Sequence, residues 1–356
     1  MSKVHNYSAG PCILPQEVIK EAAEAVLNFD GLNLSILEVS HRSPNFVAVM
    51  DEAVALVKEL LEVPAGYSVC FTQGGASLGF LMSAYNMIGD NKKAAYINTG
   101  TWADKAIKEV NNVGEVNVIA SSKDSNFNHI PKGFTIPTDC DYLHYTSNNT
   151  IFGIQFKEIP NTPIPLVCDM SSDIFSKKVD ISKFDLIYAG AQKNMGPAGA
   201  TLYIIKDEVF GRNRIKIPTM LNIETHVKKD SMFNTPPVYS IYVSMLNLRH
   251  LKKIGGVPAQ QKINEEKARI LYTEIDRNPL FKGVAATEDR SNMNATFVLT
   301  DESKQAKFDE MWKAANISGI KGHRSIGGYR ASMYNALPLE SVKVLVDVMK
   351  EFERTI

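Results

Sequence analysis

The feature that most constrains this chain is a lysine set between two apolar runs. Leu186-Ile187-Tyr188-Ala189 reads as a short buried strand that stops at Gly190 and Ala191. Gln192 and Lys193 follow, then Gly196, Pro197 and Gly199, then a second apolar run over residues 200–205. An ammonium between two core-forming segments is costly to desolvate. A lysine on a tight turn with its amine in water is the plain reading. A lysine in a partly dry pocket, where its pKa falls and it can form a Schiff base, is the sharper one. Upstream, Pro165-Leu166-Val167-Cys168-Asp169 is another apolar run, ending in an acid. A strand-end aspartate followed by a strand-end lysine suits pyridoxal phosphate (PLP). The lysine can hold the aldehyde, and the acid can keep the ring nitrogen protonated.

The surrounding pattern supports a sheet with ligands at one end. Strands are expected at residues 67–72, 93–98, 116–120, 142–146, 165–169, 186–190 and 200–205, with helices over 78–88 and from Trp102 to about 112. That alternation predicts an α/β domain with a mainly parallel sheet. In such sheets ligands sit at the carboxyl ends of the strands. Gly74-Gly75, Trp102, Thr150, Asp169 and Lys193 all fall at or just past those ends.

Before this block lie an extended arm, residues 1–14, and two helices, about 16–29 and 43–62. The first should bury Ile19, Ala22, Ala23, Val26 and Leu27. Residues 211–237 show no period and read as a long functional or interface loop. Helices at about 238–254 and 258–277 follow, then a strand, helix, strand and terminal helix from about 281. The expected division is the arm, a large domain over 15–255 and a small α+β domain over 256–356.

Composition narrows the function classes. Lys+Arg and Asp+Glu both number 39, so no net charge favours nucleic acid or a membrane surface. The four cysteines show no CxxC spacing, and the first 15 residues have no signal-peptide core. A cytoplasmic protein is expected. The seven histidines show no HExxH or other metal-ligand spacing, so no metal is expected.

Gly74-Gly75-Ala76-Ser77 stands between a strand and a helix, where free N–H groups bind phosphate; no Lys-Ser/Thr follows, so it is not a Walker loop. Trp102 can pack in a core or stack on a flat ring. Thr150 and Gln192 can hydrogen-bond a cofactor or serve structure only. His41-Arg42 and His323-Arg324, with Arg330, are either surface charges or a site for a doubly anionic substrate.

Several stretches resemble the phosphoserine aminotransferase family, of the class-V, fold-type I PLP-dependent enzymes. They are Ser8-Ala9-Gly10-Pro11, Glu38-Val39-Ser40-His41-Arg42, Tyr188-Ala189-Gly190-Ala191-Gln192-Lys193-Asn194-Met195-Gly196-Pro197, Ser231-Met232-Phe233-Asn234-Thr235-Pro236-Pro237, and Gly322-His323-Arg324 with Gly327-Gly328-Tyr329-Arg330. The resemblance implies a large domain with a mixed, mainly parallel sheet, a small α+β domain, and a homodimer with shared active sites. It implies that Lys193 holds PLP, Asp169 pairs with the ring nitrogen and Trp102 stacks on the ring. Ala76, Ser77, Thr150 and Gln192 would bind the cofactor, with Asn234 and Thr235 reaching it from the neighbouring subunit. His41, Arg42, His323, Arg324 and Arg330 would bind the substrate's carboxylate and phosphate. The implied reaction is amino transfer between glutamate and 3-phosphohydroxypyruvate in serine biosynthesis, with 4-phosphohydroxythreonine formation in pyridoxine biosynthesis as a second activity.

One departure stands out. Many members carry Gly-Gly-Gly-Arg-Gly in the first glycine turn, whereas this chain has Gly74-Gly75-Ala76-Ser77-Leu78. An arginine that some relatives use for the substrate anion is therefore absent. Two alternatives remain at this level: a cysteine desulfurase, disfavoured because no cysteine follows Cys168, and a non-catalytic binder of phosphorylated metabolites.

Overall fold

The computed structural model describes residues 4–324 and 326–356. Strand β1 (His5–Asn6), helix α1 (Gln16–Leu27) and helix α2 (Pro44–Leu60) come first. Then follow β2 (Tyr67–Thr72), α3 (Gly75–Met87), β3 (Lys93–Asn98), α4 (Thr101–Val110), β4 (Glu115–Ser121) and β5 (Tyr142–Thr146). A short ribbon, β6 (Asn148–Asn149) and β7 (Ile154–Gln155), leads to β8 (Leu166–Asp169), β9 (Leu186–Gly190) and β10 (Thr201–Lys206). Helices α5 (Ile223–Val227), α6 (Val238–Lys253) and α7 (Gly256–Arg277) come next. The chain ends with β11 (Phe281–Gly283), β12 (Asn294–Leu299), α8 (Gln305–Ala314), β13 (Ile317–Ser318), β14 (Tyr329–Ser332) and α9 (Leu339–Thr355).

The main sheet runs β2-β10-β9-β8-β5-β3-β4. It is parallel from β9 to β4, while β10 is antiparallel to both its neighbours. The link from β9 to β10 carries no helix, and a parallel return would need a longer crossover. That link bears Lys193. Helices cover both faces, which explains the nearly unbroken apolar runs of the central strands. Ile187, Ala189 and Leu202 pack with Phe46, Val57 and Leu246 on one side. Tyr96, Tyr188 and Tyr203 pack with Phe80 and Met82 on the other. A separate core holds the β11-β12-β14 sheet against α7, α8 and α9 through residues such as Phe297, Leu271, Phe308 and Phe352.

Four details differ from the sequence expectation. The arm is tied down: β1 pairs in parallel with β13, and Tyr7 is buried in the C-terminal core. Helix α1 buries Val18, Ala22 and Ala25 and turns Ile19 and Leu27 outward; small residues at this spacing let it lie close to α6. Helix α3 starts at Gly75 rather than Leu78, because Gly74 takes a left-handed φ of 103° and turns the chain directly into the helix. Within 211–237 the short helix α5 forms, capped by the Asn222 side chain accepting from Glu224 N at 3.0 Å. Among the described residues, no helix is long and apolar enough to cross a membrane.

Candidate active site

Lys193 owes its position to a tight turn at the end of β9. The Ala191 carbonyl accepts from the N–H groups of Lys193, Met195 and Gly196, at 2.7, 3.3 and 2.8 Å. Ala191 N donates to Ala200 O at 3.0 Å and closes the turn. The turn lies flat on α6: a Cβ at Gly196 would stand 2.3 Å from Ser244 Oγ. Asn247 on α6 donates to the carbonyls of Asn194 and Met195, both at 2.9 Å. The arm supports the other side, where Cys12 Sγ donates to Lys193 O at 2.7 Å.

The Lys193 side chain is half-buried and enters a cavity of about 340 Å³. Its Nζ donates to Thr150 Oγ1 at 3.1 Å and stands 5.7 Å from the centre of the Trp102 ring. Loss of water pushes its pKa down, and the nearby Asp169 opposes that shift. Asp169, last residue of β8, is only 4% exposed. Burial pushes its pKa up; Ser171 N, donating to Oδ1 at 3.0 Å, and Lys193 pull it back. The acid and the amine thus restrain each other's neutral forms across a small polar space.

Other elements close the cavity. Trp102 comes from the first turn of α4, and Ala76 and Ser77 from the first turn of α3, whose leading N–H groups are free of helical partners. Thr150 and Gln192 line it, and His323 and Arg330 enter from the C-terminal part of the chain. Arg330 Nη1 lies 3.5 Å from Thr150 O. Three lining residues keep a buried polar atom without a partner among the described residues: Trp102 Nε1, Thr146 Oγ1 and Arg330 Nε. In a folded protein such atoms are usually satisfied, so this set is suited to a polar ligand. Size alone does not select the site: in a hollow of about 380 Å³ between the end of α2 and residues 177–182, Lys178 pairs with Glu62 at 3.3 Å, but both side chains are exposed and neither amine nor acid is held dry.

The cavity therefore gathers Ala76, Ser77, Trp102, Thr150, Asp169, Gln192, Lys193, His323 and Arg330. It does not gather the remaining five. His41 is buried just before α2, its Nε2 without a partner among the described residues, and burial, then Arg42, lowers its pKa. Arg42, Arg324 and Thr235 are exposed and Asn234 is half-buried, none of them in this chain's lining. Residues given no role from sequence also line the cavity: Ala9 and Gly10 of the arm, Thr146, Asn148, Ser171 and Ser172. Ser171 and Ser172 directly follow Asp169, so their closeness was readable; the return of the arm was not.

A model of the aminotransferase class-V family matches residues 4–345. Phosphoserine aminotransferases of Flavobacterium psychrophilum and Parabacteroides distasonis are 63% and 58% identical to this chain. Each alignment covers 99% of this chain, with 100% and 99% of the relative. Among solved structures, the phosphoserine aminotransferase of Bacillus circulans subsp. alkalophilus superposes with a TM-score of 0.95 at 41% identity, over 99% of both chains. The PLP-bound phosphoserine aminotransferase of Trichomonas vaginalis superposes with a TM-score of 0.93 at 35% identity, over 98% of this chain and all of that one.

Proposed function

The chain belongs to the class-V aminotransferase family, and we propose that it transfers the amino group between L-glutamate and 3-phosphohydroxypyruvate, as a phosphoserine aminotransferase does. The observation that carries this reading is the sharing of one cavity by Lys193, Asp169 and Arg330. An amine, a buried acid and an inward cation are what a PLP-dependent reaction on an anionic amino acid requires.

The lining fits PLP. The free N–H groups at the start of α3, beside Ala76 and Ser77, suit its phosphate. Trp102 offers a flat face with an unsatisfied Nε1, and Asp169 offers a dry carboxylate. Bound there, PLP supplies an aldehyde for covalent capture of amines and a ring that withdraws electrons from the substrate Cα. Asp169 holds the proton on the ring nitrogen. Lys193 Nζ, lowered in pKa by loss of water, moves the proton at the substrate Cα. Thr150 orients that amine, and Gln192 adds a hydrogen-bonding group beside the ring. Arg330, with an unpartnered Nε, and His323 take substrate anions.

His41, Arg42, Arg324, Asn234 and Thr235 lie outside this chain's cavity, which supports a homodimer whose sites draw on both subunits. Mixing Lys193→Ala with an Asn234→Ala, Thr235→Ala double variant should restore part of the activity by subunit exchange. No recovery in confirmed heterodimers would refute the shared site. The four unpaired thiols suit a reducing compartment, here taken as the cytoplasm. Recovery of the protein with the membranes or the periplasm would contradict that placement.

Purified protein assayed with glutamate and a panel of oxo acids tests the main reading. The expected preference is 3-phosphohydroxypyruvate over unphosphorylated pyruvates. The oxo precursor of 4-phosphohydroxythreonine belongs in the same panel as a second substrate. No preference for phosphorylated acceptors would defeat the assignment.

A further inference from the structure

The proposed substrates carry an anion at each end, and the cavity has a charged group for only one end fixed deep inside. Arg330 sits on β14, half-buried, beside Thr150. The first turn of α3 brings to the lining Ser77, which carries no charge, where many family members have an arginine.

Helix α4 carries a further charge, Lys105, which is not itself in the lining but lies against a residue that is. Its second residue, Trp102, lines the cavity, and Lys105 lies three residues on, on the same helix face. Lys105 Nζ stands 4.7 Å from the centre of the Trp102 ring, and Lys193 Nζ stands 5.7 Å from it. The indole thus carries the reactive lysine and the rim lysine together, and a cation held on a ring face keeps a defined place without an ion pair. Among the described residues Lys105 has no carboxylate partner, whereas Lys108, on the next turn, pairs with Asp104 at 3.0 Å. Lys105 also acts on the cavity wall. His323 is held below the ordinary histidine range first by burial, then by the positive charges of Arg330, Arg324 and Lys105. Several cations gathered around His323, in a chain with no net charge, form a locally positive region suited to an anion.

We propose that Lys105 is a specificity residue: it binds the distal phosphate of the substrate at the cavity mouth beside His323, supplying the charge that Ser77 lacks. This rests on the phosphoserine aminotransferase reading above. The second phosphate ionisation has a pKa near 6, so at neutral pH the group carries close to two charges, against one on a carboxylate. A rim ammonium therefore favours phosphoserine over glutamate, and salt screens the effect.

Lys105→Gln keeps most of the stem over Trp102 and removes the charge. Stopped-flow half-reactions of the PLP-loaded enzyme with O-phospho-L-serine and with L-glutamate, followed by the cofactor's absorbance, give an apparent Kd from saturation of the rate, separately from the rate itself. The expected result is a Kd for phosphoserine raised about fivefold, with glutamate changed by less than about twofold. Lys105→Arg should restore the affinity, and kcat/KM for phosphoserine should depend less on salt in Lys105→Gln than in the parent. Equal weakening of both amino acids, or of neither, would overturn the proposal. So would loss of the bound cofactor in Lys105→Gln, which would make Lys105 only a prop for Trp102. A parent enzyme unable to transaminate phosphoserine would overturn the functional reading with it; an active parent matched by Lys105→Gln would overturn this inference alone.

Discussion

Lys193 and Lys267 are two enclosed lysines in two different regions. Lys193 stands at a sheet end, facing a cavity, with one hydroxyl partner and an aspartate nearby. Lys267 is fully buried on α7 and donates to the carbonyls of Met333, Tyr334 and Leu337 at 2.9, 2.8 and 3.3 Å. Burial lowers the pKa of both, that of Lys267 to about 7. Loss of water alone therefore does not make a lysine a reactive group. What separates them is vacancy around the amine. The amine of Lys267 is enclosed by the three carbonyls of the turn that joins β14 to α9, while Lys193 keeps room for a carbonyl carbon beside its amine.

That contrast fixes what substitutions should do. Lys193→Ala should lower transamination by on the order of 10⁴-fold or more while the chain stays folded. Substantial residual turnover, measured at saturating glutamate, would erase the distinction between the two lysines. Asp169→Asn comes next, with about a 10³-fold loss in rate and PLP still bound, because a neutral partner no longer holds the ring proton. A ring nitrogen that titrates in this variant as in the parent would remove Asp169 from its role.

Lys267→Met should act on stability instead. It leaves three buried carbonyls without their donor and should cost about 2 kcal/mol, read by denaturant unfolding. Turnover per folded, loaded enzyme should stay within about threefold of the parent. The pH dependence sharpens this. The folded pKa of Lys267, about 7, lies below the ordinary value of 10.5. Between those two values the unfolded chain binds the proton and the folded chain does not. The parent's stability at this residue therefore rises with pH across that window, by at most about 1.4 kcal/mol per unit. The parent's advantage over Lys267→Met should grow from pH 7 to 10; a flat difference would mean that the three carbonyls keep the ammonium charged.

The cavity floor was legible in the local apolar pattern, whereas much of the rim was legible only through the family resemblance. Asp169 and Lys193 follow short apolar strands, a local signal, and in a parallel sheet strand ends converge by geometry. The antiparallel course of β10, which makes the Lys193 link a tight turn, leaves no mark in the apolar pattern. The arm and Arg330 reach the cavity from the two chain ends, and only long-range packing brings them there. Ile19 and Leu27 fitted a helical stripe as well as Val18 and Ala25 did, and packing on α6 decided between them. Lys267 could not be told from an ordinary helix lysine, because its three acceptors lie 66 to 70 residues away.

The central claim is that Lys193, and not another lysine, carries the chemistry. It is tested by loading the protein with PLP, reducing with borohydride and mapping the labelled peptide by mass spectrometry. The account predicts one stoichiometric adduct on Lys193, absent from Lys193→Ala and unchanged in Lys267→Met. Stoichiometric label on Lys267, or label spread over surface lysines with Lys193 unmodified, would contradict it.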